Sequence, residues 1–235
     1  MADRGHDVRG ALLFDLDGTL VDSDAQHFAA FQRIFAPHGI ALDLATYSKS
    51  IHGASNELIG KIFLSHLTPE QQNAALDEKE ATYRAGLDAI EPIAGAVALI
   101  DFADRHGLGR AVVTNAPRAN ADAVLAAIGL DERLSIVIVG AELARAKPDP
   151  LPYLAALERT GALGSRSVAF EDSTPGIRAA VEAGIAVVGM MSSLGELALV
   201  RAGALFAARD FTDPRIYGLI EARVNAPAKE EEARQ

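Results

Sequence analysis

The chain has no cysteine. Disulfides, thiolate nucleophiles and cysteine-ligated zinc are therefore excluded, and the composition fits a reducing compartment such as the cytoplasm. Bases are also scarce: 22 Lys and Arg stand against 32 Asp and Glu, a formal net charge of −10. Nucleic-acid and anionic-membrane binding need clustered bases, so neither partner is expected. No apolar run approaches the roughly 20 residues that span a bilayer. The opening MADRGHDVRG lacks the basic-then-apolar layout of a signal peptide. No internal repeat or low-complexity linker interrupts the chain, and only APAKEEEARQ, from Ala226, reads as a charged, solvated tail.

What remains is ample for a core. The chain has 235 residues, 49% hydrophobic and 23% charged, enough for one large domain or a domain with an appendage. Short β-rich runs recur at Gly10–Phe14, Arg110–Thr114, Ser135–Val139, Ser167–Phe170 and Ile185–Gly189. These are continuous apolar runs, the pattern of strands buried on both faces of a parallel sheet. Ala- and Leu-rich helical patterns lie at Val97–His106, Asn120–Ile128, Pro150–Thr160 and Pro175–Ala183, two of them opening on a proline suited to a first helical turn. Strand and helix alternating at this spacing predict right-handed βαβ units and a doubly wound, Rossmann-like α/β domain.

The rhythm breaks once. From about Asp24 to Glu91 no strand signal occurs, while Phe28, Phe31 and Phe35, then Leu58, Ile62 and Phe63, recur at helical spacing. Pro37–Gly39 and Thr68–Pro69 punctuate these helices. The expected organisation is an α/β core domain of residues 1–22 and 92–235, with an all-helical domain, 23–91, inserted after the first strand.

In open α/β sheets, ligands bind beyond the carboxyl ends of the strands. The first run leads into Asp15-Leu16-Asp17, and the second ends in Thr114-Asn115. Ala146-Lys147-Pro148-Asp149-Pro150 follows the third, and the fourth leads into Glu171-Asp172-Ser173. Together they offer carboxylates for a metal, a nucleophilic carboxylate, hydroxyl and amide donors, and one Lys. That set suits phosphoryl transfer, where the protein positions the group and neutralises its charge. A carboxylate can be the nucleophile, giving an aspartyl-phosphate, but an anion attacking an anionic phosphate needs a cation between them. Mg²⁺ takes hard oxygens and keeps several waters, so a few carboxylates suffice. On this reading Asp15 and Asp172 ligate it by side chain and Asp17 by its backbone carbonyl. The Asp17 side chain is then free to protonate the leaving oxygen and later to activate water. DxDG also opens calcium-binding EF-hand loops, but the twelfth position here is Gln26 rather than Glu, and the lead-in is a strand. Asp22 and Asp24 read as the exit into the insert, with Ser23 or Asp24 capping its first helix.

DLDGTLVDS, then a strand-end Thr, then KPDP, then EDS, in that order, resembles the haloacid dehalogenase superfamily over roughly Ala11 to Glu221. Members are aspartate-nucleophile phosphotransferases with a helical cap inserted after the first motif. The resemblance implies that Asp15 is the nucleophile and Asp17 the general acid/base. It implies that Thr114 binds the phosphoryl group with Asn115, that Lys147 balances its charge, and that Glu171 and Asp172 hold Mg²⁺. It also implies that the cap chooses the substrate. His27 and Lys79 lie where β-phosphoglucomutase-like members carry cap residues, and the loop HGASNE supplies Ser55 and Asn56 to the substrate. Asn56 stands where the mutase pattern has an Arg that grips a second phosphate, and Asn supplies no bidentate cation. TNAP after the second strand is similar to hydrolytic members. Dehalogenases lack the second carboxylate and phosphonate-cleaving members resemble DxAGT, so Asp17 sets both aside.

The resemblance therefore implies a cytoplasmic, Mg²⁺-dependent phosphatase, monomeric or homodimeric, for a small phosphorylated metabolite such as phosphoglycolate or a sugar phosphate. A β-phosphoglucomutase-like transfer between sugar positions is the alternative. A non-catalytic Mg²⁺/phosphate-binding regulator on the same fold is a third reading.

Overall fold

The buried run Ala11–Phe14 forms β1, the strand from which the sheet grows in both directions. In the computed structural model, which describes residues 10–51, 54 and 56–225, the chain then leaves the sheet for four helices. These are α1 (Asp24–Phe35), α2 (Leu44–Ser50), α3 (Asn56–Phe63) and α4 (Pro69–Arg84). Alternation resumes with α5 (Ala96–Arg105), β2 (Gly109–Thr114), α6 (Arg118–Ala127), β3 (Val137–Val139) and α7 (Leu151–Thr160). It continues through β4 (Val168–Glu171), α8 (Thr174–Glu182), β5 (Ala186–Met190), α9 (Glu196–Ala202), β6 (Phe206–Ala208) and α10 (Pro214–Val224). All pairings are parallel, in the order β3-β2-β1-β4-β5-β6. The chain builds outward from β1 to β3, then crosses back to lay β4 on the other flank of β1. The strand order thus reverses between β1 and β4, where such sheets bind ligands.

Successive strand residues point to opposite faces, and each face has its own core. Leu12 and Phe14 join Val112, Val168 and Phe170 on one side, against α5, α6 and α10. Ala11 and Leu13 join Ala111, Val113 and Ala169 on the other, against Tyr153 of α7 and Ile177 of α8. Phe14 stacks on Phe170 with ring centroids 5.2 Å apart, and Phe211 meets both edge-on at 5.9 and 5.2 Å. Burying each such ring is worth about 1.5–3 kcal/mol. The trio also fixes where β1 and β4 end. Phe14 pairs in register with Phe170, and the Asp15 amide donates to the Phe170 carbonyl at 3.0 Å, so Asp15, just past the end of β1, lies beside Glu171, the last residue of β4.

The helices between β1 and α5 bury a cluster of their own, including Phe31, Phe35, Tyr47, Ile59, Leu64 and Leu76. Thr68 starts α4 with a reciprocal capping box to Gln71. The two connections to the sheet run together: Val21 bridges Pro92, and the Ile93 amide donates to the Leu20 carbonyl at 2.8 Å. Among the described residues no helix is long and apolar enough to cross a membrane. The reading of the sequence omits β6, whose three residues are too few to carry a period, and the helices α9 and α10 that flank it. The tail from Ala226 lies outside the described residues.

Candidate active site

At the carboxyl ends of β1 and β4, Asp15, Glu171 and Asp172 present oxygens within 4.8 Å of one another, all three residues buried. Gly18 turns the chain away at φ +75°, and a Cβ there would strike the Asp172 carboxylate. The loop after β3 brings in Lys147. Its Nζ donates to Asp15 Oδ1 at 2.7 Å, Glu171 Oε1 at 2.6 Å and the Val113 carbonyl at 2.6 Å. Glu171 also accepts from the Tyr153 hydroxyl at 2.9 Å, and from the Ser173 amide and hydroxyl at 3.3 and 3.0 Å. With Lys147, these donors fill the four or so acceptor positions of a carboxylate. Asp15 and Asp172, by contrast, each take one side-chain donor among the described residues, from Lys147 and from Ser192 at 3.1 Å.

Three buried carboxylates around one ammonium leave an excess of negative charge. Burial, reinforced by Glu171 and Asp17, outweighs the attraction of Lys147 and pushes the Asp15 carboxyl up to about 7. Burial and the charges of Asp15 and Glu171 likewise raise Asp172 well above the ordinary carboxylate range. Burial alone would lower Lys147, but Asp15 and Glu171 hold its ammonium charged. A further cation lets the acids ionise together. The donors are hard oxygens, with no sulfur or imidazole among them, which is the preference of Mg²⁺.

The Asp17 side chain turns away from this cluster and toward the insert. Its Oδ1 accepts from the Ser23 hydroxyl at 2.6 Å and the Tyr83 hydroxyl at 3.0 Å, and lies 3.5 Å from His27 Nε2. Burial would raise Asp17, but His27, Ser23 and Tyr83 hold its carboxyl down to about 2. Lys79 and Tyr83, one turn apart on α4, share a face. His27 lies flat on Tyr83 at 3.9 Å, and Lys79 Nζ donates to His27 Nδ1 at 3.0 Å. With Nδ1 accepting, the ring proton sits on Nε2, facing Asp17.

One expectation is corrected here. Ser23 occupies the N-cap of α1 but makes no capping bond, because its hydroxyl is taken by Asp17. Asp24 does not cap the helix either. It lies in the first turn, where its charge suits the helix dipole, and its carboxylate accepts from Tyr47 at 3.2 Å and Ser193 at 3.1 Å.

The other residues singled out from the sequence divide. Thr114 ends β2 buried, and its Oγ1 accepts from the Ala116 amide at 2.9 Å. The Asn115 side chain braces the backbone of Lys147, donating to its carbonyl and accepting from its amide, both at 3.3 Å. Asn56 donates to Glu80 Oε1 at 2.7 Å. Ser55 lies outside the described residues. The sequence reading missed Glu80 and Asn120. Beside Lys79 in a Glu- and Lys-rich helix, Glu80 reads as solvated, yet it is buried and accepts from Asn120 of α6 at 2.6 Å. Asn120 in turn accepts from Arg84 at 2.7 Å, so one core amide bonds two α4 side chains. The site opens into a cavity of about 640 Å³, walled by strand-end residues such as Asp15, Thr114 and Asp172 and by insert residues such as Phe31, Tyr47 and Lys79.

Fold and site together define a Rossmann-like α/β protein with an acidic, metal-competent centre at the carboxyl ends of its strands. The model of the haloacid dehalogenase-like hydrolase family matches residues 10–184, and the chain belongs to that family. It is 31% identical over 208 residues to validoxylamine A 7'-phosphate phosphatase of Streptomyces hygroscopicus subsp. limoneus, covering 86% of this chain and 94% of that one. It is 30% identical over 211 residues to a phosphoglycolate phosphatase of Rhodospirillum rubrum, covering 86% and 87%. Among solved structures, a CbbY variant of Rhodobacter sphaeroides in complex with xylulose-(1,5)bisphosphate aligns at TM-score 0.75 and 28% identity, over 88% of this chain and 96% of that one.

Proposed function

We propose that this chain is a cytoplasmic, Mg²⁺-dependent phosphatase. It hydrolyses small phosphorylated metabolites of the phosphoglycolate or sugar phosphate class through an aspartyl-phosphate on Asp15. The observation that carries the reading is the division of labour between two neighbouring acids. Asp15 sits in the cluster beside Lys147, while Asp17 faces proton-bearing groups of the insert. Two relatives named as phosphatases, each aligned over 86% of this chain, support it.

Asp15 attacks phosphorus and the bond to the leaving oxygen breaks, and Asp17, which takes up a proton once the contacts with His27, Ser23 and Tyr83 that hold it ionised are loosened, passes that proton to the oxygen. Water, giving its proton to Asp17, then attacks the phosphoryl group on Asp15 and frees phosphate. Thr114 and Asn115 bind phosphoryl oxygens, and Lys147 offsets their charge. Asp15 and Asp172 by side chain and Asp17 by its carbonyl would hold Mg²⁺, with Glu171 adding its charge to the cluster while it anchors Lys147. Bound there, the ion offsets the negative charge of the reacting groups. The insert, 23–91, is the cap that closes over the substrate and excludes water. Its His27, Ser55, Asn56 and Lys79 meet the leaving group. The inward His27–Lys79 pair favours mutase chemistry as a second reading, and the lack of an Arg at Asn56 speaks against it.

Tyr83→Phe keeps the ring beside His27 but deletes a donor to Asp17. We expect kcat to fall about tenfold with KM changed less than about twofold. Unchanged kcat would reduce Tyr83 to packing. The function itself is tested by assaying a panel of phosphorylated metabolites for released phosphate. Hydrolysis of at least one small monoester should be lost on chelation and restored by Mg²⁺. Release that survives chelation, or isomerised ester without free phosphate, contradicts the proposal.

A further inference from the structure

We propose that Asn120 is a positioning residue for the second half-reaction: it fixes α4 so that Asp17 is aimed at the attacking water. This rests on the phosphatase reading and extends its machinery into α6. That helix begins just after Thr114 and Asn115, and Asn120 lies in its first turn, 1% exposed. Its amide faces two α4 residues one turn apart. Nδ2 donates to Glu80 Oε2 at 2.6 Å, and Oδ1 accepts from Arg84 at 2.7 Å. A side-chain amide offers that donor and acceptor side by side. An apolar residue here would leave a buried Glu80 oxygen unpaired.

From Glu80 the contacts run through the insert and return to the core. Glu80 Oε1 accepts from Lys79 Nζ at 3.0 Å, Lys79 Nζ donates to His27 Nδ1 at 3.0 Å, and His27 Nε2 lies 3.5 Å from Asp17 Oδ1. Tyr83, between Glu80 and Arg84 in α4, donates to the same Asp17 oxygen at 3.0 Å. Asn120 thus grips α4 on either side of Tyr83. The two chain crossings, paired at Val21 and Pro92, do not by themselves fix the angle of α4. Side-chain bonds made away from them do, and a misplacement of about 1 Å can cost a reaction about 10²-fold.

Asp17 serves twice, and the two steps use its surroundings differently. As acid it must be released to take up a proton and pass it on. As base it must be ionised and held still, the state that the Ser23 and Tyr83 hydroxyls secure. Those hydroxyls and His27 all fall on Oδ1, which leaves Oδ2 for the proton of water. Asn120 therefore acts on discharge of Asp15. The water oxygen bonds to phosphorus, the bond from phosphorus to the Asp15 oxygen breaks, and the water proton goes to Asp17.

Labelled p-nitrophenyl phosphate, with Mg²⁺, separates the steps. p-Nitrophenolate leaves without needing a proton, whereas discharge still needs the base. The first-turnover burst of p-nitrophenolate gives the rate of formation. Decay of label on Asp15 after a chase with unlabelled ester gives the rate of discharge. A loss of folded protein lowers the burst amplitude but neither rate constant. Asn120→Asp keeps the shape, suits the first turn of α6, and sets a carboxylate against Glu80. Discharge should slow about tenfold, with the burst rate changed less than about threefold. Adding Glu80→Gln reverses donor and acceptor: the new amide donates to the new carboxylate, and its oxygen still accepts from Lys79 and Asn56. Discharge should then return to within about threefold of the wild type. Asn120→Ala, which adds no charge, should show the same split as Asn120→Asp, so an unfolded Asn120→Asp does not spare the inference. Wild-type discharge in either folded single variant, burst and discharge slowed alike, or a folded double variant that stays slow overturns it. If the wild type releases no p-nitrophenolate, or frees phosphate without label on Asp15, the phosphatase mechanism itself falls and the inference with it.

Discussion

Asp15→Asn abolishes turnover of p-nitrophenyl phosphate in the presence of Mg²⁺ and leaves the protein folded. An amide at this position keeps the shape of the side chain, and its oxygen still accepts from Lys147, so the contacts that seat it between β1 and β4 survive. What it lacks is the anionic oxygen that forms the bond to phosphorus. Loss of a nucleophile that no neighbour replaces lowers kcat by about 10⁴-fold or more. Asp172 and Glu171 lie within the same cluster, yet neither substitutes. Glu171 is enclosed by Lys147, Tyr153 and Ser173, and Asp172 is the side chain against which Gly18 turns. The fold is not weakened, because the change removes one of three mutually repelling buried acids. Steady-state kinetics and a thermal melt on the same preparation check both halves. Retained turnover removes Asp15 from its assigned role, and a lowered melting temperature shows that its charge is structural.

Lys147→Ala has the largest expected effect on stability. Its ammonium donates to two buried carboxylates and to the Val113 carbonyl. Deleting it strands Asp15 and Glu171 without their partner, and breaking a buried ion pair from one side costs about 3–5 kcal/mol. Mg²⁺ supplies positive charge to the same cluster, so the loss should be smaller with the ion than without it. Denaturant unfolding of the wild type and the variant, each with Mg²⁺ and with chelator, measures this. Activity should fall about a thousandfold, because the cation that offsets phosphoryl charge is gone. A variant within about 1 kcal/mol of the wild type under chelation would show that the acids do not depend on Lys147.

The central half of the sheet was legible because its strands are buried on both faces, so ALLF and RAVVT read as apolar runs without knowledge of their neighbours. The acids were legible for a related reason: charge directly after such a run has few structural explanations. The order of DLDGT, Thr114, KPDP and EDS then carried the resemblance. What stayed hidden depends on elements far apart in sequence. Glu80 is a solvated helix position until Asn120, 40 residues on, closes over it. Ser23 has the composition of an N-cap, and only the approach of Asp17 shows that its hydroxyl goes elsewhere. The donation of Tyr83 to Asp17 follows only from packing α4 against the turn after β1. β6 is a three-residue strand completed by pairing with β5.

The central claim is that Asp15 carries the phosphoryl group between two half-reactions. The direct measurement is rapid acid quench of the wild-type protein, mixed with Mg²⁺ and a turned-over ester bearing labelled phosphate, followed by peptide mapping. The account predicts label on the peptide that contains Asp15, formed within the first turnover, discharged as free phosphate and absent from Asp15→Asn. Free phosphate appearing at the full rate with no labelled protein at any quench time, or label on a peptide without Asp15, would contradict it.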